Sequence, residues 1–556
     1  MKVKAPNGIA RILKAEGVSW VSTFPTCGVN NALGEEGVPI MMMRDERYAV
    51  AIADAFSRIT GGKQIGVCTL MGGINAAGLQ MAYGAIAQAF EDGSPVLCIA
   101  DGVPVGGSGN SHYDISLGFK AVTKWIGHID QPQRVPEFMR RAFTYLRTGR
   151  RSPVLLTIPR GLGEFDEDAY PYTPVKGWRY APDPDDVKAA VKALLAAKAP
   201  LLYVGEGIYY GDAAGELLQF AELAQVPVLT TLKAKSVFPE NHPLSVGVRG
   251  ELADHLLHKC DLLFAIGSSL SPGRFSQAIP DPNHKSIVQC GVDEKDINKS
   301  YRVDHAIIGD AQLTLQALIQ ELSSQTGGGV KKDQALHDEI RTAKAEFMAR
   351  YREAMESNEK PINPYRVYGD LMKTLDMGRS FVTHDSGNTR DQISTVYEAQ
   401  IPRGFMGWGN VSTLGFGLAA AMGAKLAHPD WQCVNVTGDA GVSYMIGNME
   451  ALVRYNIGVT TIHINNGGFA GYGPGFWGQG HDPYTAEVTD HSVADMSESV
   501  KCMGYASEDV REPAEIIPAI KRALDENEKG RPAYLEFICS RYPVFGKWIT
   551  APSAGH

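Results

Sequence analysis

The chain has 556 residues, too many for one hydrophobic core, and at about 150 residues per domain we expect three. Hydrophobic residues at 44% and charged residues at 21% match ordinary globular usage and exclude a disordered, collagenous or coiled-coil chain. A formal charge of -9 supplies no dense basic surface, which excludes a partner bound through phosphate neutralisation, nucleic acid above all.

From Ile9 onward short apolar runs alternate with amphipathic stretches, the pattern of βαβ units and a mainly parallel sheet. Ile9, Ile12 and Leu13 mark one face of a first helix that Gly17 ends, and 20–24 comes next as a strand. Met43-Arg44-Asp45-Glu46 ends another strand and opens a helix, along which Tyr48, Ile52, Ala55, Phe56 and Ile59 recur at helical spacing up to Gly61-Gly62. Residues 65–68 form the next strand, and Ala181-Pro182-Asp183-Pro184 reads as a linker before a helix start, so the first domain is 1–180. The second block, 187–325, carries strands at 200–204, 226–229, 262–266 and 286–290 and breaks at Gly327-Gly328-Gly329. A charged helical connector around 331–359 leads into a third block, 360–556, which alternates again and is similar in size and kind to the first. The expected fold class is α/β, with three doubly wound parallel-sheet domains.

The eight cysteines are scattered without CxxC pairs, several inside apolar runs, and read as buried thiols of a reducing compartment. The first residues show no signal-like stretch, and no apolar run approaches the ~18 residues of a membrane helix. We therefore expect a cytoplasmic location and no membrane partner.

Two polar clusters carry the sharpest chemistry. Thr437-Gly438-Asp439-Ala440-Gly441 and Asn465-Asn466-Gly467-Gly468 each follow an apolar strand, and open α/β sheets bind ligands at the carboxyl ends of strands. Asp439 offers a carboxylate, Asn466 a side-chain carbonyl and Gly468 a backbone carbonyl. Three hard oxygens leave octahedral positions for two phosphate oxygens and a water, the arrangement Mg²⁺ favours when it shares a diphosphate. Small residues at Gly438, Ala440 and Gly441 let the chain approach phosphate, with the N–H groups of the next helix aimed at the anion.

This stretch resembles the Gly-Asp-Gly … Asn-Asn fingerprint of thiamine diphosphate enzymes, departing at Ala440 where the second glycine stands. Several further segments, in the right order, are similar to the acetolactate synthase and pyruvate oxidase group. Met406-Gly407-Trp408-Gly409-Asn410-Val411-Ser412-Thr413-Leu414 resembles the segment that holds the cofactor rings. The resemblance implies that Leu414 wedges between the rings and that the Ser412 carbonyl accepts the aminopyrimidine N–H. It also implies that Glu46 shares a proton with the pyrimidine ring and starts catalysis, preferably with a desolvated, raised carboxyl. Asp385-Ser386-Gly387-Asn388-Thr389 falls where relatives touch the diphosphate, which makes Asn388 and Thr389 candidates.

The likeness thins at the substrate pocket. Thr26-Cys27 stands where relatives of this type carry two glycines, and Asn110-Ser111-His112 replaces a Phe-Gln-Glu, so Cys27 and Ser111 become pocket candidates and His112 a candidate acid or base. Phe469 is a further pocket candidate. The turn at Met71-Gly72-Gly73 departs from the family form, and no role is carried onto it. The central domain of the group holds FAD, ADP or neither. Taken together, the resemblance implies a thiamine diphosphate- and Mg²⁺-dependent lyase or carboligase of the acetolactate synthase type. It would act on a 2-oxo acid or related small carbonyl donor, as a homodimer or homotetramer with active sites at the subunit interface. The alternatives are a 2-hydroxyacyl-CoA lyase or oxalyl-CoA decarboxylase-like enzyme, whose carboxy-terminal tail closes over a long substrate, and an FAD-dependent pyruvate oxidase-like enzyme. A nucleotide-binding protein that kept only the fold is a further reading.

Overall fold

The computed structural model describes residues 1–73, 76–107, 115–273, 276–468, 495–542, 544–547 and 549. Three six-stranded sheets dominate, every pairing in them parallel, beside a small antiparallel ribbon of Lys2–Lys4 and Glu164–Asp166. Their central strands are short and buried on both faces, as parallel strands covered by crossover helices must be. In spatial order the first sheet runs Ile40–Met42, Val21–Thr23, Gly66–Leu70, Val96–Gly102, Val154–Pro159, Trp125–His128. The third runs Phe405–Met406, Ser380–His384, Gln432–Gly438, Thr460–Asn465, Ala533–Ile538, Ala506–Val510. Numbered along the chain, both have the order second, first, third, fourth, sixth, fifth, so the likeness of the two blocks extends to topology. The central sheet, Ser245–Gly247, Val228–Thr230, Pro200–Val204, Leu262–Ile266, Ser286–Gly291, His305–Ile308, has the order third, second, first, fourth, fifth, sixth. All three are doubly wound, as the alternation of runs predicts.

By its contacts the chain forms two compact units. The first comprises Met1–Arg179 with Val411–Pro429 and Gly447–Tyr455; the second comprises Tyr180–Asn410, Asp430–Ile446 and Asn456–His556. The first unit therefore draws two helical segments from the third block.

In the first unit the Glu46–Ile59 helix starts where the sequence places it. The Asp45 side chain accepts the Tyr48 N–H at 2.7 Å as an N-cap, and nearly every residue of the helix is buried. Its alanines leave room for close neighbours. A Cβ on Gly66 would lie 1.9 Å from the Ala53 carbonyl oxygen, and one on Gly423, in the Phe416–Ala427 helix, 2.8 Å from the Ala55 Cβ. Small residues on both sides thus set the helix–helix distance.

In the second unit the linker signal at Pro182–Pro184 becomes the Pro184–Ala196 helix, capped by Asp183, and the charged connector becomes the Gln334–Met355 helix. The third sheet divides its strands cleanly by alternation. Val434, Val436, Ile462, Ile464, Leu535 and Phe537 join one apolar core. The intervening Asn435, Thr437, Thr461, His463, Asn465, Tyr534 and Glu536 are also buried, on the opposite face. Among the described residues no helix is long and apolar enough to cross a membrane.

Candidate active site

In the second unit the site grows from the point where the strand order of the third sheet reverses, between Ser380–His384 and Gln432–Gly438, the place an open α/β sheet offers a ligand. After the first strand the fully buried Asp385 accepts the Ser386 N–H at 2.8 Å. Gly387, at φ 98°, turns the chain into the Asn388–Val396 helix. The Asn388 amide nitrogen is buried without a hydrogen-bond partner. Thr389 differs: its hydroxyl donates to the Asp385 carbonyl at 3.3 Å, which leaves its backbone N–H as the group able to meet an anion.

After the second strand the Asp439–Arg454 helix opens at Asp439. A Cβ on Gly441 would sit 2.2 Å from the Thr437 hydroxyl and 2.7 Å from the Asp385 carboxyl carbon, so the first helical turn demands glycine there. Ala440 meets no such demand, and an alanine in place of the family's second glycine is accommodated. At the end of the neighbouring Thr460–Asn465 strand, the Asn466 side-chain oxygen is buried and has no hydrogen-bond partner. The Arg541 guanidinium holds this loop by donating to the Gly467 carbonyl at 2.8 Å and the Asn466 carbonyl at 3.2 Å. An orphaned carbonyl oxygen and an orphaned N–H₂ on the strand ends that flank the Gln432–Gly438 strand are costly unless something completes them. A hard cation suits the oxygen and a phosphate oxygen suits the amide, so Asp439, Asn466 and Asn388 could hold a metal-bound diphosphate.

The loop after Phe405–Met406 is anchored to the same strand. The buried Trp408 stacks on His384, centroids 5.2 Å apart, and its indole N–H donates to the His384 carbonyl at 2.9 Å. Burial pulls the His384 imidazole down to about 3, so it stays neutral and serves as a packing surface.

The first unit carries the other cluster. Glu46 is 6% exposed, and burial, reinforced by Asp45, raises its carboxyl above the ordinary carboxylate range. Its neighbours tie it to the loop that holds Ser412 and Leu414. The Tyr48 hydroxyl donates to the Gly415 carbonyl at 2.7 Å, the Arg47 guanidinium to the Leu414 carbonyl at 3.3 Å, and Thr413 N–H to the buried Gln88 side chain at 3.0 Å. Ser412 itself adopts φ 60°, a left-handed conformation costing a non-glycine residue about 1 kcal/mol or more and typical of ligand-handling loops. Asn448 donates to Asp45 at 2.7 Å and accepts the Arg44 N–H at 2.9 Å, bracing the turn before Glu46.

Space for the Glu46 carboxyl comes from Gly78 near the start of the Ala77–Glu91 helix, where a Cβ would lie 2.5 Å from a Glu46 oxygen and 2.8 Å from the Met71 carbonyl. We expect Gly78→Ala to lower kcat by about 10²-fold through displacement of that carboxyl. Overpacking should cost about 1–3 kcal/mol of stability. Steady-state kinetics alongside thermal melts check both.

Cys27 is buried and lines a cavity of about 690 Å³ at the carboxyl ends of the first sheet, with Asp101, Arg160 and the 25–31 loop. Burial, with Asp101 nearby, pushes its thiol up to about 12, so it faces that cavity as a neutral group rather than a nucleophile. Asp101 accepts the Gly28 N–H at 2.8 Å and the exposed Arg160 guanidinium at 2.9 Å. At the strand-order reversal of the central sheet two strand-end turns pack closely: a Cβ on Gly205 would lie 2.3 Å from the Gly267 carbonyl oxygen. A cavity of about 40 Å³ there is bordered by the Lys233–Glu206 ion pair, 2.6 Å long.

Three family models match the chain in order: the N-terminal TPP binding domain of thiamine pyrophosphate enzymes over residues 3–131, their central domain over 187–318 and their C-terminal TPP binding domain over 385–537. A probable acetolactate synthase large subunit of Methanocaldococcus jannaschii is 30% identical across 95% of this chain and 90% of its own. The chain belongs to the acetolactate synthase family of thiamine diphosphate enzymes. Isozyme 3 of the acetolactate synthase large subunit of Escherichia coli is 25% identical over 95% of this chain and 93% of its own. The large subunit of Parasynechococcus marenigrum is 30% identical over 78% and 70%.

For this member of the acetolactate synthase family, the two units sort the candidates chosen from sequence. Glu46, Ser412 and Leu414 fall in one unit; Asn388, Thr389, Gly438, Asp439, Ala440, Gly441, Asn466 and Gly468 fall in the other. Ser111, His112 and Phe469 lie outside the described residues. Sequence reasoning missed Gly78, Gln88, Asn448 and Arg541, whose roles arise from contacts distant in the chain. A glycine at the second position of a helix, where its propensity is poor, was the one available signal, at Gly78.

Proposed function

We propose that the chain uses thiamine diphosphate and Mg²⁺ to make or break a C–C bond next to the carbonyl of a 2-oxo acid or related donor. The observation that carries this reading is the pair of orphaned polar atoms, Asn466 Oδ1 and Asn388 Nδ2, at the strand ends beside Asp439. Asp439, Asn466 and the Gly468 carbonyl would ligate the metal, while Asn388 and the helix-start N–H groups would take the phosphate oxygens. Thiamine diphosphate, when bound, supplies the carbanion and the electron sink that C–C chemistry at a carbonyl requires. Burial raises the Glu46 carboxyl and so favours the protonated state, from which it can hydrogen-bond a ring nitrogen. Leu414 offers a half-buried apolar wedge, and Ser412 a carbonyl held by a strained backbone. The exposed Arg160 at the cavity shared with Cys27 suits a substrate carboxylate.

The tail weighs against a lid over a long acyl-CoA. Within the second unit Arg249 Nε donates to the Gly546 carbonyl at 2.6 Å, Gly546 N–H to Thr395 at 3.1 Å and Ile549 N–H to Gln277 at 2.7 Å, which holds Gly546 and Ile549 against their own unit. We take the working form as a cytoplasmic homodimer or homotetramer, as the family resemblance implies; seven of the eight cysteines are buried thiols, which suit that compartment, while Cys502 is exposed against the expectation from sequence. Calorimetric titration with thiamine diphosphate and Mg²⁺, followed by product analysis with pyruvate, longer 2-oxo acids and acyl-CoAs, tests the reading. We expect metal-dependent binding and a ligated or decarboxylated product from a 2-oxo acid. Binding indifferent to both additions, or conversion of acyl-CoAs alone, would overturn it.

A further inference from the structure

The polar face of the third sheet holds an arrangement that the cofactor site above does not use. His463 sits mid-strand, paired in register with Thr437 on one side and Glu536 on the other, and is 1% exposed. Its Nδ1 lies 2.7 Å from the Tyr534 hydroxyl. Its Nε2 lies 3.4 Å from Asp439 Oδ1 and has no hydrogen-bond partner. Glu536, whose carboxylate is 3.7 Å from Nδ1, is engaged elsewhere: its two oxygens accept Asn465 Nδ2 at 2.7 Å and Ser497 N–H at 2.6 Å.

These contacts choose a tautomer. Burial, with Glu536 and Asp439 nearby, drives the Tyr534 hydroxyl well above its ordinary range, so it keeps its hydrogen. Among the described residues His463 Nδ1 is the one hydrogen-bond partner of the Tyr534 hydroxyl, so its hydrogen goes there, which makes Nδ1 the acceptor and places the ring hydrogen on Nε2, the atom 3.4 Å from Asp439. The ring is locked in a packed sheet and cannot turn away. The 3.4 Å approach is short of a formed hydrogen bond, and a small turn of the Asp439 carboxylate completes it; metal-binding carboxylates are commonly held by outer hydrogen bonds that fix the oxygen left for the ion.

We propose that His463 is a positioning residue: held in one tautomer by Tyr534, its Nε2–H orients the Asp439 carboxylate and so sets the affinity for the divalent ion. The proposal rests on Asp439 being a metal ligand. A purely architectural histidine would change stability alone; a positioning one changes how much metal is needed.

The test uses the full chain, with thiamine diphosphate binding followed calorimetrically as Mg²⁺ is titrated. We expect His463→Phe to raise the half-saturating Mg²⁺ concentration by about 10- to 100-fold. His463→Gln, which can present an N–H from a similar reach, should restore most of the loss, and Tyr534→Phe should give a smaller rise. Excess Mg²⁺ should recover binding in each. Asp439→Asn is the control for the underlying reading. If Asp439→Asn loses metal dependence while His463→Phe and Tyr534→Phe titrate like the native protein, the positioning role is wrong and the cofactor site stands. If Asp439→Asn also titrates like the native protein, the cofactor site itself is misplaced and the proposal falls with it. Should His463→Phe fail to fold, a Tyr534→Phe titration matching the native curve overturns the proposal by itself.

Discussion

Replacing Glu46 with glutamine is expected to lower turnover by about 10²- to 10⁴-fold, the usual span for a lost acid–base group, with the Mg²⁺ requirement for cofactor binding unchanged. Glutamine keeps the size of the side chain and the bracing by Asp45, Asn448 and Gln88, so the loss isolates the proton. The same substitution should make the cofactor-free protein more stable at neutral pH. Burial raises the folded-state pKa of this carboxyl. Below the unfolded value, about 4.3 for glutamate, both states are protonated and the group contributes nothing. As pH climbs through the raised folded value the native state must carry a buried charge that the unfolded chain carries in water, and stability is lost. Melts at several pH values should show Glu46→Gln above the native protein at neutral pH, the gap closing toward pH ~4. A gap that widened on acidification would falsify the burial argument.

The second large effect concerns the metal. Asp439→Asn and Asn466→Ala should each raise the Mg²⁺ needed to retain thiamine diphosphate by at least about 100-fold, the upper end of what losing even an outer-shell partner costs. Asn466→Ala should also leave the apoprotein no less stable, because the oxygen it deletes is buried without a partner. That pairing of lost affinity with kept stability separates a ligand from a structural amide. Calorimetry and apoprotein melts on the same preparations decide it; undiminished affinity in both variants would remove the metal from this loop.

Much of this architecture is legible from residue order. Pro200–Val204 and Leu262–Ile266 are strands with the bounds their apolar runs predict. Asp45 and Asp183 cap helices where acid or turn residues precede a periodic stretch. The strand-end motif at Asp439 and Asn466 is legible because both halves are local. What escapes is set by packing across long separations: Gln88 meets Thr413 from 325 positions away, and Gly78 matters only because Glu46 points at it. His463 lies between. The alternation Thr461-Ile462-His463-Ile464-Asn465 assigns it to a face of the strand, yet only the neighbouring strands reveal that the face is polar, buried and directed at Asp439.

The repeated strand order has one more implication. Glu46–Ile59 and Phe416–Ala427 both come after the second strand of their respective sheets, which makes them topological counterparts, and in the first unit they lie against each other through Ala55 and Gly423. A single polypeptide thereby packs one such helix against its counterpart. A bulkier side chain at Ala55 or Gly423 intrudes on the other helix, and matched exchanges of size across that contact should be tolerated where single ones are not.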